Sequence, residues 1–425
     1  MTPREERGMV ISAMCRLNRT EEGVWLVPSQ SATDRIYKVN LTAKTCTCPD
    51  HQEGGFTCKH FYAASFTHKR DYLPNGDVIE TKTFTMTEKK VYRQDWRAYN
   101  LAQSTEKNRF QELLFDLTRG VQELPVHEGR GRVPHSTKDS LFAMAFKVYS
   151  TFSARRFNCD LADAHQKGHL SRSVPGMKVN TMMENPTFTP ILKDLIGYSA
   201  RPLRAVETDF AIDSSGFGTN KFERWFDQKY GVTRQKCVWV KTHIACGVKT
   251  NVVTAVRILD KDAGDSPQFV PLVKETRKHF EIGEVSADKA YASLENFEAV
   301  ANAGGQGYIA FKSSHTGAKG GLFEKAFHYF QFKNEEYMEH YHKRSNVEST
   351  FSAIKRKFGD SVRSKCDFAM VNEVLCKILC HNLCCLIQEQ CELGIEPIFW
   401  GKEEREGCGV LPMVSAGCGV YNECG

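Results

Sequence analysis

The 425-residue sequence has no run of about 18 apolar residues, so no membrane-spanning helix is expected. Its opening stretch, MTPREERGMVISAMCRLNRTEE, is charged early and lacks both a sustained apolar core and a small-residue cleavage site, so no secretory leader is expected. Internal repeats and long low-complexity tracts are missing as well, which argues against solenoid and fibrous architectures. Neither sign of charge dominates: 57 Lys and Arg stand against 51 Asp and Glu, a net +6. That surplus is too small to establish nucleic-acid binding by itself. Cysteine, by contrast, is plentiful at 16 residues. With no secretory signal, these are expected as reduced thiols or metal ligands inside the cell, not as a disulfide framework.

What is present is ample for a buried core, with 41% hydrophobic residues over a length that suggests two or three domains. Residues 20–75 hold short β-type runs around a tight Cys/His cluster. Residues 76–200 read as a helical connector, with SLFAMAFKVYSTF as an amphipathic helix. Residues 201–395 alternate strands and helices, and residues 396–425 form a Gly- and Cys-bearing tail expected to be flexible. In the third region VETDFAID (206–213) alternates as a strand. KCVWVKTHIACGV and NVVTAVRIL flank the turn Lys249-Thr250-Asn251 as a hairpin. A helix over SPQFVPLVKETRKHF, a strand at Glu284–Ala287, a helix over Leu294–Ala303 and a strand at Tyr308–Phe311 follow. The order β-β-β-α-β-α-β predicts an α/β fold, a mixed sheet with helices on both faces.

Two acids stand at the expected ends of strands. Asp213 precedes Ser214-Ser215-Gly216, and Asp288 precedes Lys289-Ala290-Tyr291. Neighbouring strand ends bring distant positions together, and paired carboxylates hold hard cations. A turn and a helix cap would account for either acid alone. The third element is the stretch 341–355. On one helix at about 100° per residue, Tyr341, Arg344, Glu348 and Lys355 fall within about 60° of arc, beside an apolar stripe of Val347, Phe351, Ile354 and Phe358. An acid flanked by basic groups thus borders a core-facing seam, although Glu and Arg four apart also occur as plain surface pairs.

These motifs resemble the DDE transposases of insertion sequences, whose catalytic domain is ribonuclease-H-like. One large group of them carries Y-x2-R-x3-E-x6-K, matched here at Tyr341, Arg344, Glu348 and Lys355. The first acid matches at Asp213 within AIDSSGF, where that group often has Thr at the position of Ser215. The second matches at Asp288 within SADKAY, and Trp239–His243 looks like the group's second strand. The resemblance covers roughly residues 200–390. It implies that Asp213, Asp288 and Glu348 hold Mg²⁺ (or Mn²⁺), with a pair of ions about 3.5–4 Å apart acting on the attacking and leaving oxygens. It further implies that Tyr341, Arg344 and Lys355 contact DNA, that the partners are double-stranded element ends and target, that the assembly is a homodimer, and that the chain is cytoplasmic and nucleoid-associated. A metal-dependent nuclease without strand transfer, or a domesticated DNA-binding regulator, would use many of the same residues.

Residues 45–61 read TCTCPDHQEGGFTCKHF, giving Cys46-x-Cys48, nine residues, then Cys58-x-His60. Positions two apart on a strand share a face, Gly54-Gly55 lets the chain double back, and Cys58 is placed in the loop before a helix. Three thiolates and one imidazole suit tetrahedral Zn²⁺, which would add folding free energy to a module too small for a good core. His51 and Cys15 are off the pattern. The spacing, with the preceding strand-like Ile36–Leu41, resembles the SWIM-type zinc finger.

Three further features are weaker. Residues 136–205 carry ten basic and five acidic side chains, and Arg155-Arg156 is placed to reach phosphates or to be ordinary helical surface. Cys376, Cys380 and Cys384 recur every four residues among Leu and Ile and read as core packing. The aromatics Phe323, Phe327, Tyr329, Phe330 and Phe332 read as a small satellite core more simply than as a base-stacking surface.

Overall fold

The computed structural model describes residues 2–30, 35–55, 57–72, 95–125, 133–219, 239–259 and 264–400. The chain divides into two compact units, Met1–Val91 and Tyr92–Gly425.

The first unit is a four-stranded antiparallel sheet in the order β1-β2-β3-β4: β1 (Asn18–Arg19), β2 (Trp25–Pro28), β3 (Ile36–Asn40) and β4 (Thr45–Cys46). Its inner face and two helices share a small core of Ile11, Trp25, Val27, Val39 and Ala63. The helices are α1 (Pro3–Met14) and α3 (Lys59–Tyr72), with a single turn, α2 (Pro49–Gln52), between the strands and α3. Helix α1 lies before residue 20, where the sequence placed the start of the module. Its signal was present as a capping box: Thr2 accepts from the Glu5 amide at 3.3 Å while Glu5 accepts from the Thr2 amide at 3.2 Å, with Pro3 in the first turn. Gly8 lets α1 lie against α3, because a Cβ there would stand 2.4 Å from the Tyr62 Cβ. Arg4 and Asp50 tie α1 to α2 at 2.9 Å.

The second unit joins a helical layer to a five-stranded sheet. The helices α4 (Trp96–Arg119), α5 (Thr137–Ser150), α6 (Ala154–Gln166), α7 (Gly176–Met183) and α8 (Phe188–Ala200) bear out the helical reading of the described part of 76–200; residues 73–94 lie outside the described residues. Helix α5 is not amphipathic. Every residue from Ser140 to Phe146 is buried, since α4, α7 and α14 (Asp367–Glu392) surround it. Helix α14 is long and apolar enough to cross a membrane, yet 83% of that window is buried within the domain, as befits a central core helix. Cys376 and Cys380 lie in that core, as read from their spacing.

The sheet runs β7-β6-β5-β8-β9: β5 (Asp209–Gly218), β6 (Trp239–Gly247), β7 (Val253–Leu259), β8 (Glu284–Ala287) and β9 (Gln306–Ile309). Strand β6 is antiparallel to both neighbours, whereas β5, β8 and β9 are parallel. Helix α9 (Ser266–Arg277) meets the face carrying His243 and Arg257, with Arg257 donating to Gln268 at 2.8 Å. Helix α13 (Ser345–Phe358) meets the opposite face, where Thr350 reaches the Cys246 sulfur at 3.5 Å. This is the α/β fold, a mixed sheet with helices on both faces, that the element order predicted.

The remaining helices are α10 (Leu294–Asn302), α11 (Gly321–Phe332) and α12 (Asn334–Tyr341). Phe323 is fully buried against Phe297 and Phe311 as part of the unit's main core, not of a separate satellite, while Phe332 at the end of α11 is exposed. Two sequence expectations change. The packed chain extends past residue 395: Phe399 and Trp400 are buried, and the Trp400 indole donates to the Asp116 carbonyl at 3.1 Å. The rest of the expected tail, 401–425, lies outside the described residues. Strand β5 also does not stop at Asp213, because its pairing with β6 continues to Gly218 opposite Trp239.

Candidate active site and metal centre

Register decides where the acids meet. Strand β5 pairs with β8 in parallel only as far as Ile212 opposite Ala287. Asp213 and Asp288 are therefore the next residues on adjacent strands, where β8 leaves the sheet and β5 goes on beside β6. In-register neighbours on parallel strands point their side chains to one face about 4.8 Å apart. Asp213 is thus mid-strand, not at the strand end expected from the sequence, and stands just past the end of the parallel ladder.

The third acid comes from α13. The stretch from Tyr341 is not one continuous helix: α12 ends at Tyr341, a 3-10 turn covers His342–Arg344, and α13 begins at Ser345. The turn still leaves Arg344 and Glu348 on one side. The Arg344 guanidinium donates to Asp213 at 2.8 Å and to Glu348 at 2.7 Å, so it stands between two of the acids. Asp213 and Glu348 line one open cavity of about 700 Å³ with Ser215, Ser352, Lys355, Arg356 and Asp360. Lys355 donates to the Ser215 hydroxyl at 2.6 Å and lies over the Phe217 ring at 5.4 Å.

The acids of this cavity act on one another. Burial pushes the Asp213 carboxyl up from its ordinary value. The Ser214 amide and Arg344 pull it down, and Asp288 and Glu348 push it up again by like-charge repulsion. Tyr341 is raised by its own burial, with Asp288 and Asp213 adding to that, which places it within the same field. Oxygen donors that repel one another and are partly desolvated fit hard divalent ions, and here Arg344, Lys355 and Arg356 set positive charge beside them. The three acids are more widely spaced than metal ligands sharing one ion. Among the described residues, the group whose ligand atoms all lie within 4.8 Å of one another is Cys46, Cys48, Cys58 and His60.

That second site is built by the first unit. Cys46 ends β4, Cys48 caps α2, and Cys58 immediately precedes α3, whose first turn carries His60. Gly55 at φ +64° makes the return between them. All four side chains are buried. The Cys58 carbonyl accepts the Phe61 amide at 3.1 Å, which places its sulfur at the positive end of α3. Its thiol is held down chiefly by a hydrogen bond from Cys46, whose own thiol is pushed up in return. Both ring nitrogens of His60 are buried without a hydrogen-bond partner. A buried imidazole with neither nitrogen satisfied, facing three thiols, has the donor set and the vacant valence that Zn²⁺ completes. The sequence found all four of these residues.

It missed Ser352, Arg356 and Asp360 at the acidic cavity. Arg356 was the most accessible of these, as a second cation directly after Lys355. It also missed a layer behind the acids: Asp265 bridges Lys241 at 2.7 Å and Ser214 at 3.3 Å beside the buried His243. Those residues are distant in sequence and carry no recognisable spacing.

Comparison with known proteins matches two segments of the chain. Residues 204–383 match the family described as Transposase DDE domain, and residues 37–69 match the SWIM zinc finger. No curated protein matches the chain. A solved structure, the cryo-EM structure of piggyBac transposase synaptic complex with hairpin DNA, covers 68% of this chain and 77% of its own at 10% identity and a TM-score of 0.34. A likeness that slight carries no argument. On the two family matches, the chain carries a SWIM zinc finger at residues 37–69 and a transposase DDE domain at residues 204–383.

Proposed function

We propose that this chain is the transposase of a mobile DNA element. It binds double-stranded DNA at the element ends, cuts phosphodiester bonds to free 3′-hydroxyls, and joins those hydroxyls to target DNA. The observation that carries this reading is the register that makes Asp213 and Asp288 the next residues on adjacent strands, with Arg344, in the turn before α13, bonded to both Asp213 and Glu348. Asp213, Asp288 and Glu348 would hold Mg²⁺ (or Mn²⁺). Such ions, when bound, stabilise the attacking and leaving oxygens of the displaced phosphate.

The chain's own residues do the rest. Arg344 balances Asp213 and Glu348 and offers positive charge where a phosphate approaches the acids. Lys355 is held by Ser215 at the wall of the same cavity, placed to meet the next phosphate. Tyr341 packs beside Arg344 and helps orient it. Cys46, Cys48, Cys58 and His60 hold Zn²⁺ as the structural ion of the N-terminal unit. Joining two element ends calls for two active sites, so the working assembly is a homodimer on DNA.

The test is a strand-transfer assay with paired element ends, target plasmid and Mg²⁺. Joined product supports the reading. Released ends without joined product would mean a metal-dependent nuclease. Binding with neither cut nor joined product would mean a DNA-binding regulator.

A further inference from the structure

A second basic recess lies in the catalytic unit, separated from the acidic cavity by the segment between α13 and α14. Its volume is about 560 Å³, and Lys147, Arg363, Lys365 and Lys377 line it against the acids Glu184 and Glu373. Two of these charges are already spent. Lys377, almost fully buried, donates to the Gly359 carbonyl at 2.9 Å and the Ser361 carbonyl at 2.7 Å and stands 3.9 Å from Glu373. Glu373 in turn accepts the amides of Arg363 at 3.0 Å and Ser364 at 2.9 Å, and the Ser364 hydroxyl at 2.8 Å. What remains is Arg363 and Lys365, together with Lys147, whose ammonium donates to the Phe152 carbonyl, facing Glu184.

The recess is held in shape. The Val362 amide donates to the Gly218 carbonyl at 2.9 Å and the Gly218 amide to the Asp360 carbonyl at 3.1 Å, fixing the segment to the end of β5. The Arg363 guanidinium donates to the Thr151 carbonyl at 2.6 Å, which ties the segment to the end of α5. Lys147, half-buried there, has its ammonium pushed down by burial and then by Arg363. Arg155 and Arg156 stand exposed on the first turn of α6 at the rim, with no acid in that turn. Cations crowded this closely and fixed by backbone contacts repel one another, and a polyanion relieves that repulsion.

We propose that this recess is a DNA-backbone site, taking consecutive phosphates of the duplex that continues from the acidic cavity, with Arg363, Lys365 and Lys147 as the contacting cations. Charge complementarity selects the partner, and continuity selects the position. Gly359 and Asp360 line the acidic cavity and Arg363 lines the recess. Three to four residues of chain span at most ~14 Å, about four axial rises of ~3.4 Å along a DNA strand. One duplex can therefore engage both places. This inference rests on the transposase reading.

The test measures DNA binding against salt concentration, using the full-length protein and a 30-base-pair duplex without Mg²⁺. For the Arg363→Gln/Lys365→Gln double variant, two lost phosphate contacts are expected to lower the slope of log affinity against log salt by about 2. Affinity at low salt should fall roughly 10-fold or more. A Lys278→Gln variant, at the end of α9, should match the parent. If the double variant loses thermal stability, the single charge reversal Lys365→Glu on an exposed side chain carries the test and should weaken binding further. A slope equal to the parent's in folded variants overturns the recess as a phosphate site while leaving the transposase reading intact. A parent protein with no salt-dependent DNA binding at all would overturn both.

Discussion

Substituting Cys58 by Ser removes one of four buried ligands from the N-terminal unit, and the structure sets the size of the effect. That unit has little else to hold it: a core of about ten buried hydrophobic residues, three of them the cysteines themselves. Stability near 0.1 kcal/mol per residue would give such a unit only ~5–14 kcal/mol in total. Structural Zn²⁺ in finger-like sites contributes about 10–16 kcal/mol of apparent binding free energy, which is comparable to the whole. With the metal gone, His60 would keep two buried ring nitrogens unsatisfied, at ~1–3 kcal/mol each. We therefore expect the native protein to carry about one Zn²⁺ per chain. The Cys58→Ser protein should carry close to none and have an unfolded N-terminal unit. Metal content after dialysis, limited proteolysis between the two units and calorimetry should report together: loss of zinc, cleavage within residues 1–91, and an unchanged transition for residues 92–425. A variant that keeps its zinc, or a chelated native protein whose first unit stays protease-resistant, would refute the four-ligand site.

Asp213→Asn and Glu348→Gln should each lower strand cleavage by about 1000-fold or more, equivalent to ~4 kcal/mol of barrier, while DNA binding persists; gel assays with and without Mg²⁺ decide it, and retained cutting removes that residue from the reaction. Lys377→Met should cost ~1–3 kcal/mol, because it strips the Gly359 and Ser361 carbonyls of their donor, and thermal melts should show the loss. Leu379→Ala, in the centre of α14, should cost about 2–5 kcal/mol by chemical denaturation. Burial lowers both His243 and His381 to about 4, so each stays neutral well below the ordinary imidazole range. Their folded values lie below their unfolded ones, so each contributes stability above about pH 6.5 that is lost as pH falls toward 4. Glu389, raised to about 7 by burial, acts in the opposite sense. Imidazole resonances of His243 and His381 that titrate near pH 6.5 would contradict this burial.

Much of both sites was legible before any coordinates. Cys46, Cys48, Cys58 and His60 declared themselves because a metal needs closely spaced ligands, and close spacing survives in a local stretch of sequence. The element order of the sheet was readable from alternation and turn residues, and Glu348 from its place on a helix seam. Less legible were features created by neighbours. Helix α5 was read as amphipathic because its ends carry polar residues, but packing on every side buries it. The stretch through Arg344 looked like one helix because its residue types all tolerate helix, whereas a 3-10 turn over His342–Arg344 separates α12 from α13. The basic recess draws on residues from 147 to 377, and no spacing links them.

The sequence by itself determined the Cys/His spacing and the strand-and-helix order, because each is a property of a short segment and its own chemistry. Only the tertiary structure decided that β8 lies beside β5 in parallel and stops at Ile212 opposite Ala287, and so that Asp213 and Asp288 become neighbours. It alone set Arg344 between Asp213 and Glu348, and pinned the 359–366 segment through Glu373 and Lys377. Strand pairing and ion pairing join residues 75 to 135 positions apart through burial that no local window contains, which is why the chain's chemistry could be named early and its geometry only afterwards.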